Sequence, residues 1–386
     1  MDLCHPSPSG ARTFSGHLLH ACVICVNLQL PDALSCSVVQ KQRDARIRSQ
    51  KSRGRQQLMQ RTFVVGCPRS GTTIVQAMLA RHPQVFTLPE TGFFPRLLGG
   101  LHYRLGDEGA APRRRTLARR LGLTRRYGRR EFLDLQRALL DPAQVPKRAP
   151  WLQSTCVAQF IATLDRLATQ AGRSVWIEKT PNHLLYLTEI ERYLPGARFI
   201  HVIRPGMDVL ASITDAELRY GNKAFSGGLM LWAQRWNRAV EIHRSRIGMR
   251  HHHFVFLEDL VRNPLEEWRR LCTFLSLRTN VPLDQTCHQR IADPKSEPWK
   301  QDALSGLPHQ SDSKVESLFG PQMREWLRER LNSYEELYAA SSLAYNREDS
   351  FRTPLSKSIW PAEKSAAEVV DMSIPPAVTD GRFRAA

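Results

Sequence analysis

The stretch Arg61 to His82, RTFVVGCPRSGTTIVQAMLARH, constrains this chain more than any other. It opens on Phe63-Val64-Val65, a short apolar run rich in β-branched residues and therefore a strand candidate. GCPRSGTT follows, and then Ile74-Val75 and Ala77-Met78-Leu79, apolar at helical spacing. A strand, a glycine loop and a helix in succession make a phosphate cradle: backbone N–H groups point inward and the helix N-terminus adds positive potential. Gly66 and Gly71 have the four-residue spacing of a phosphate-binding loop, but Thr72 stands where a lysine normally follows the second glycine. That lysine reaches the β- and γ-phosphates of a nucleoside triphosphate. The cation here is Arg69, inside the loop. The loop is thus predicted to hold a phosphate-like group and to suit a triphosphate poorly.

Further strands are expected at Val85-Phe86, Ser174 to Lys179, Arg198 to Arg204 and Phe254 to Leu257, with helical patterns between them. That alternation calls for an α/β fold, an open parallel sheet flanked by helices. Glu90 falls just past a strand's C-terminal end, the edge where such sheets bind ligands. Pro205-Gly206 opens a helix through Ser212, with Pro205 at its first position. The strand before it carries no terminal Asp for Mg²⁺. Gly228 to Met249 reads as a long helix whose Trp232, Trp236 and Val240 belong to the core, and Trp326 to Leu337 as one amphipathic helix. Residues 290–310 read as a loop. His251, His252 and His253 cannot share a metal from a strand, where neighbours point to opposite faces.

The net charge of +18 is uneven: residues 101–150 alone carry +8, with arginines clustered from Arg113 to Arg130. Such a balance suits an anionic partner, whether nucleotide, nucleic acid, sulfated sugar or membrane surface, although a solvated helix face explains the cluster equally simply. The eight cysteines show no paired framework, and Cys22-x-x-Cys25 lacks the second pair of a zinc site. Residues 1–59 are expected to be a disordered leader or an over-extended start, with Met59 a natural initiator. Their apolar run, Leu18 to Leu30, is too short and polar for a stable membrane span. A membrane anchor there is the minor alternative to a cytoplasmic protein. Residues 60–346 are expected to form the domain and 347–386 a disordered tail.

PRSGTT with Arg69 in the loop resembles the 5′-phosphosulfate loop of the sulfotransferases that use 3′-phosphoadenosine 5′-phosphosulfate (PAPS). The Arg form is similar to tyrosylprotein and many bacterial sulfotransferases. Three further stretches carry the resemblance: Glu90-Thr91 at the family's distance from the loop Arg, Lys179-Thr180-Pro181, and a strand ending in Arg204 with Ser212 eight residues on. Arg204-Pro205-Gly206-Met207-Asp208 departs slightly from the family's usual turn. The resemblance covers roughly residues 60–346. It implies that Pro68, Arg69, Ser70, Gly71, Thr72 and Thr73 hold the 5′-phosphosulfate, and that Arg204 and Ser212 hold the 3′-phosphate. Ser296, Trp299 and Lys300 would fold over the nucleotide. Glu90 would be the general base, with Arg69 and Lys179 supplying positive charge in place of a metal, and His183 the next candidate base. Residues 95–170 would be a helical acceptor-binding region for a hydroxyl-bearing carbohydrate, peptide, lipid or small molecule; no nucleic-acid partner is implied. The rival readings are a P-loop kinase or NTPase, which the absent lysine and Asp oppose, and a non-enzymatic nucleic-acid or polyanion binder that would use the arginine cluster and not need Glu90.

Overall fold

The strand that leads into the glycine loop, β1 (Gln60–Gly66), is the central strand of a five-stranded sheet. With β2 (Val85–Thr87), β3 (Val175–Lys179), β4 (Arg198–Ile203) and β5 (His252–Phe256) it makes the order β2-β3-β1-β4-β5. Every neighbouring pair is parallel. The computed structural model describes residues 59–107, 109–110, 117–221, 225–283, 291–292, 297–306 and 314–348. The expected leader, the tail beyond residue 348 and Ser296 lie outside them.

A parallel sheet is covered on both faces, so its strands are apolar almost throughout. β1 shows how the covers are built. Phe63 and Val65 enter a layer with Phe94, Phe160, Trp176 and Trp236, while Val64 enters the opposite layer with Val75, Leu79, Ile200 and Trp268. Trp232, Trp236 and Val240 are buried as expected, on the helix Gly228–Arg244, which ends short of Met249. Gly248, at φ 76°, turns the chain toward β5 instead. Pro205 is the N-cap of the helix Gly206–Tyr220, one place before the position the sequence suggests. Trp326 to Leu337 is two helices, Pro321–Arg328 and Tyr334–Glu348. The break has two causes: Asn332 is pinned to Asn237 by its backbone and side-chain amides, and Ser333 Oγ accepts the Glu336 N–H to start a new helix.

Because all strands run the same way, their C-terminal ends share one edge, and the register fixes what meets there. Val64 pairs with Lys179 and Gly66 with Val202. A Cβ on Gly66 would stand 2.5 Å from the Val202 carbonyl oxygen, a backbone atom that cannot step aside. Gly66→Ala should therefore prise β1 from β4 and cost at least about 1–3 kcal/mol, the range for overpacking. Urea unfolding would measure it, and an unchanged midpoint would contradict this packing.

The β4–β5 side of the sheet buries a chain of histidines. His201 Nδ1 lies 2.9 Å from His243 Nδ1, and His201 Nε2 lies 2.8 Å from His252 Nδ1. His252 Nε2 continues to Glu191 Oε1 at 3.3 Å, and Arg246 Nε holds that same oxygen at 2.8 Å. His253 points to the other face and stacks on Phe274, as strand alternation requires. The arrangement is linear, and no group of side chains among the described residues is placed to hold a metal ion. No helix among the described residues is long and apolar enough to cross a membrane.

Candidate active site

The loop Cys67 to Gly71 turns back at the end of β1 and delivers the chain into the helix Thr72–Ala80, every residue of which is buried. Two left-handed residues make the turn, Arg69 at φ 72° and Gly71 at φ 95°. A side chain at Gly71 would be strained by its φ and would also meet Leu257 at 2.7 Å. No side chain caps the helix, so its first N–H groups are left for an external acceptor.

Lys179, at the end of β3, is almost wholly buried beside this loop. Its Nζ donates to Thr73 Oγ1 at 3.4 Å and pairs with Glu90 Oε1. Glu90 stands three residues past β2, and Lys300 Nζ reaches the same Oε1 at 2.8 Å. Lys300 in turn pairs with Glu297. Burial would push the Glu90 carboxyl up, but the two ammonium groups outweigh it and hold it at about 2. Burial lowers Lys179 despite its carboxylate partner, whereas in Lys300 the two glutamates outweigh burial and raise it. Glu90 is therefore an ionised carboxylate gripped by two lysines. Arg69 has no part in that grip.

Arg69 instead reaches across to the 3′-phosphate candidates. Its Nε donates to Ser212 Oγ at 3.1 Å and its Nη1 to the Trp299 carbonyl at 3.3 Å. Burial, and then the charge of Arg204, push the Arg69 guanidinium below its ordinary value. Arg204 is engaged only loosely by Asp208, at 3.5 Å, and its own carbonyl accepts the Trp236 indole N–H at 3.2 Å. Two guanidinium groups that repel one another, Arg69 resting on the Ser212 hydroxyl, are arranged in a way that suits an anion. Trp299 stands beside them against Phe225 and Tyr220, ring centroids 5.6 and 6.0 Å away. Its segment, the 3-10 helix Pro298–Ser305, is held down by Gly306, where a Cβ would come within 3.0 Å of the Ala77–Met78 backbone.

His183 is not a free base. It is wholly buried: its Nε2 accepts the Phe94 N–H at 3.3 Å, and its Nδ1 lies 2.8 Å from Glu178 Oε2. Glu178 also accepts from Thr180 Oγ1 at 2.6 Å and Thr91 Oγ1 at 2.8 Å. Burial would raise this carboxyl, but His183, Thr180 and Thr91 outweigh it and hold it low. The residues following Lys179 and Glu90 are thus tied to one buried carboxylate, which fixes the two chain segments that carry the charged pair. Sequence reasoning missed Glu178, Glu297, Phe225 and Tyr220. Only Glu178 left a signal, as a charge at an otherwise apolar strand position facing away from Lys179.

The chain belongs to the sulfotransferase family, whose model matches residues 61–280, more than half of it. A protein-tyrosine sulfotransferase of Drosophila melanogaster is 26% identical over 271 residues, which is 69% of this chain and 46% of that protein. Protein-tyrosine sulfotransferase A of Caenorhabditis elegans is 24% identical over 270 residues, 69% of this chain and 60% of that protein. The chain thus spans about half the length of the first of these curated relatives. Among solved structures, the sulfotransferase domain of the Synechococcus PCC 7002 olefin synthase is similar at 20% identity and a TM-score of 0.36, covering 77% of this chain and 96% of that one. The mouse sulfotransferase SULT7A1 complexed with PAP is similar at 9% identity and a TM-score of 0.39, covering 75% and 89%.

Proposed function

We propose that the domain, residues 60–346, transfers the sulfuryl group of PAPS to the hydroxyl of an acceptor, and that the acceptor is a tyrosine-bearing peptide. The observation that carries the reading is Glu90 held between Lys179 and Lys300 beside a phosphate loop that lacks a triphosphate lysine. The peptide acceptor is supported by the protein-tyrosine sulfotransferases among the relatives.

The residues fit the donor. The uncapped N–H groups of the loop helix suit the 5′-phosphosulfate, and Arg69, Arg204 and Ser212 suit a second phosphate apart from it. When bound, the donor supplies a sulfuryl group on a bridging oxygen that gains negative charge as the bond breaks. Lys179 and Lys300 stand where cations would stabilise such charge. Each lysine that turns to an anion loosens its hold on Glu90. The carboxylate then rises from about 2 toward a value at which it accepts a hydroxyl proton. In this reading donor binding and base activation are one event, and no metal is needed.

The test is transfer of radiolabelled sulfate from PAPS to a tyrosine peptide, with carbohydrate, lipid and small-alcohol acceptors in parallel. Label on none of them, with ATP·Mg²⁺ binding more tightly than adenosine 3′,5′-bisphosphate, would favour a kinase-like enzyme instead. Arg204→Ala checks the second phosphate. A charge-assisted contact is worth about 1.5–3 kcal/mol, so affinity for adenosine 3′,5′-bisphosphate should fall about 10- to 150-fold while affinity for AMP barely moves. Calorimetric titration reads both, and equal losses would remove Arg204 from that role.

A further inference from the structure

The arginine cluster is not absorbed by the reaction, and its surroundings in the fold give it a partner. The segment Gly122 to Thr124 pairs with Trp151 to Gln153 as a two-rung antiparallel clip: Thr124 N–H donates to the Trp151 carbonyl at 2.7 Å, Gln153 N–H to the Gly122 carbonyl at 2.8 Å, and Leu123 bridges Leu152. The clip raises a group of large apolar side chains out of the surface. Leu121 is 61% exposed, Trp151 67% and Tyr127 64%, with Leu117 one turn before Leu121. The Arg129 guanidinium lies over the exposed Trp151 ring, 3.8 Å from its centroid. Around these tips the charge has one sign. Residues 117–130 contain six arginines and no carboxylate, and Lys147 and Arg148 precede the clip's second strand. Among the described residues no carboxylate engages Arg120, Arg125 or Arg126, all of them exposed.

We propose that this face docks the protein on an anionic lipid membrane, as a peripheral contact and not a span. A peptide or sugar is gripped in a concavity, where apolar side chains are lined up and mostly covered. Here they stand out singly, more than half exposed, the shape that enters the headgroup region. Trp, Tyr and Leu tips ringed by arginines combine interfacial anchoring with attraction to anionic headgroups. An acidic soluble polymer would use the arginines and leave the leucines and Trp151 in water.

The test is co-sedimentation of the full chain with vesicles of mixed phosphatidylglycerol and phosphatidylcholine, and with vesicles of phosphatidylcholine alone. Binding is expected only to the first, and should be largely lost at about 1 M salt, where the screening length is about 3 Å. Leu121→Ser with Trp151→Ser should weaken it at least about tenfold by removing the buried apolar contact. Arg125→Glu with Arg126→Glu should abolish it. All four side chains are exposed, so melting temperature should hold. If the Trp151 variant loses its melting transition, Leu121→Asp alone takes its place. No binding to the phosphatidylglycerol vesicles overturns the proposal. So does binding that ignores both apolar variants, or binding to a soluble polyglutamate peptide that is as tight as binding to vesicles.

Discussion

Glu90→Gln should turn over at least about two orders of magnitude more slowly than the parent, the usual contribution of a positioned proton acceptor being about 10²–10⁴-fold. It should bind donor nucleotide no less tightly. The amide keeps the shape of the carboxylate and loses its charge, so Lys179 and Lys300 no longer have an internal anion competing with the donor. This pairing of outcomes, slower chemistry with undiminished or improved donor affinity, separates a base from a residue that merely holds the fold. Single-turnover sulfate transfer and calorimetric donor titration measure the two halves. Turnover near the parent rate would put the base elsewhere, and His183 could not take over without breaking its buried contact with Glu178. Glu90 at about 2 is already ionised throughout the range in which the protein is handled. An acid limb in the kcat/KM profile between pH 5 and 8 would therefore belong to another group.

The histidine chain sets the second large effect, a steep loss of stability on mild acidification. Burial pushes His243 down to about 3 and His252 to about 4. In His201, burial and then the facing rings of His243 and His252 press it well below the ordinary value. Among the described residues Glu191 is the carboxylate that meets the chain, and Arg246, His251 and His253 face it as well. In the unfolded chain each ring takes a proton at about 6.5, so below that pH the unfolded state binds more protons and the fold is penalised. The sign is thus stability present above about pH 6.5 and lost as pH falls toward 4, where folded His252 begins to protonate. Each histidine that stays neutral costs about 1.4 kcal/mol per pH unit across that window. One carboxylate opposes them: burial raises Glu267 to about 7, so the folded state takes up its proton in this range and gains stability as pH falls, and the difference between the parent and His243→Leu is what reports the histidines. Urea midpoints measured across that range should fall steadily, and His243→Leu should flatten the slope. Equal slopes would mean that the rings are hydrated or already charged.

The order in which strands and loop could be read follows from how local each signal is. β1, its loop and its helix are contiguous, and their residues announce one another: β-branched run, glycines at fixed spacing, helical periodicity. β3 is a short apolar run ending in Lys179 and β4 one ending a residue before Arg204, and the parallel arrangement follows from the helices between them. The placement of Glu90 was readable because β2 ends three residues earlier. What was not readable depends on register and on side-chain direction. Whether Arg69 turns toward Glu90 or toward Ser212 is set by a left-handed backbone at φ 72°, which no pattern of residue types encodes. The histidines that touch are 42 and 51 residues apart: strand pairing brings His252 to His201, and packing of the helix Gly228–Arg244 brings His243. The helix break near Ser333 is different. Ser333-Tyr334-Glu335-Glu336 has the spacing of a capping box, a signal that the amphipathic pattern from Trp326 to Leu337 obscured.

The carboxylate shared by Lys179 and Lys300 also places the completion of this site in time. Glu90 and Lys300 are separated by 210 residues, and Gly306 fastens the later segment to the helix that follows the loop. During synthesis at about 5–20 residues per second, Glu90 leaves the ribosome roughly 10–40 s before Lys300 does. Throughout that interval the nascent chain can form the loop and its helix, but it has at most one of the two lysines, Lys179 following Glu90 by 89 residues, and none of the covering segment. On the proposed reading, a polypeptide still being made has its phosphate loop before it has both cations that the transfer uses.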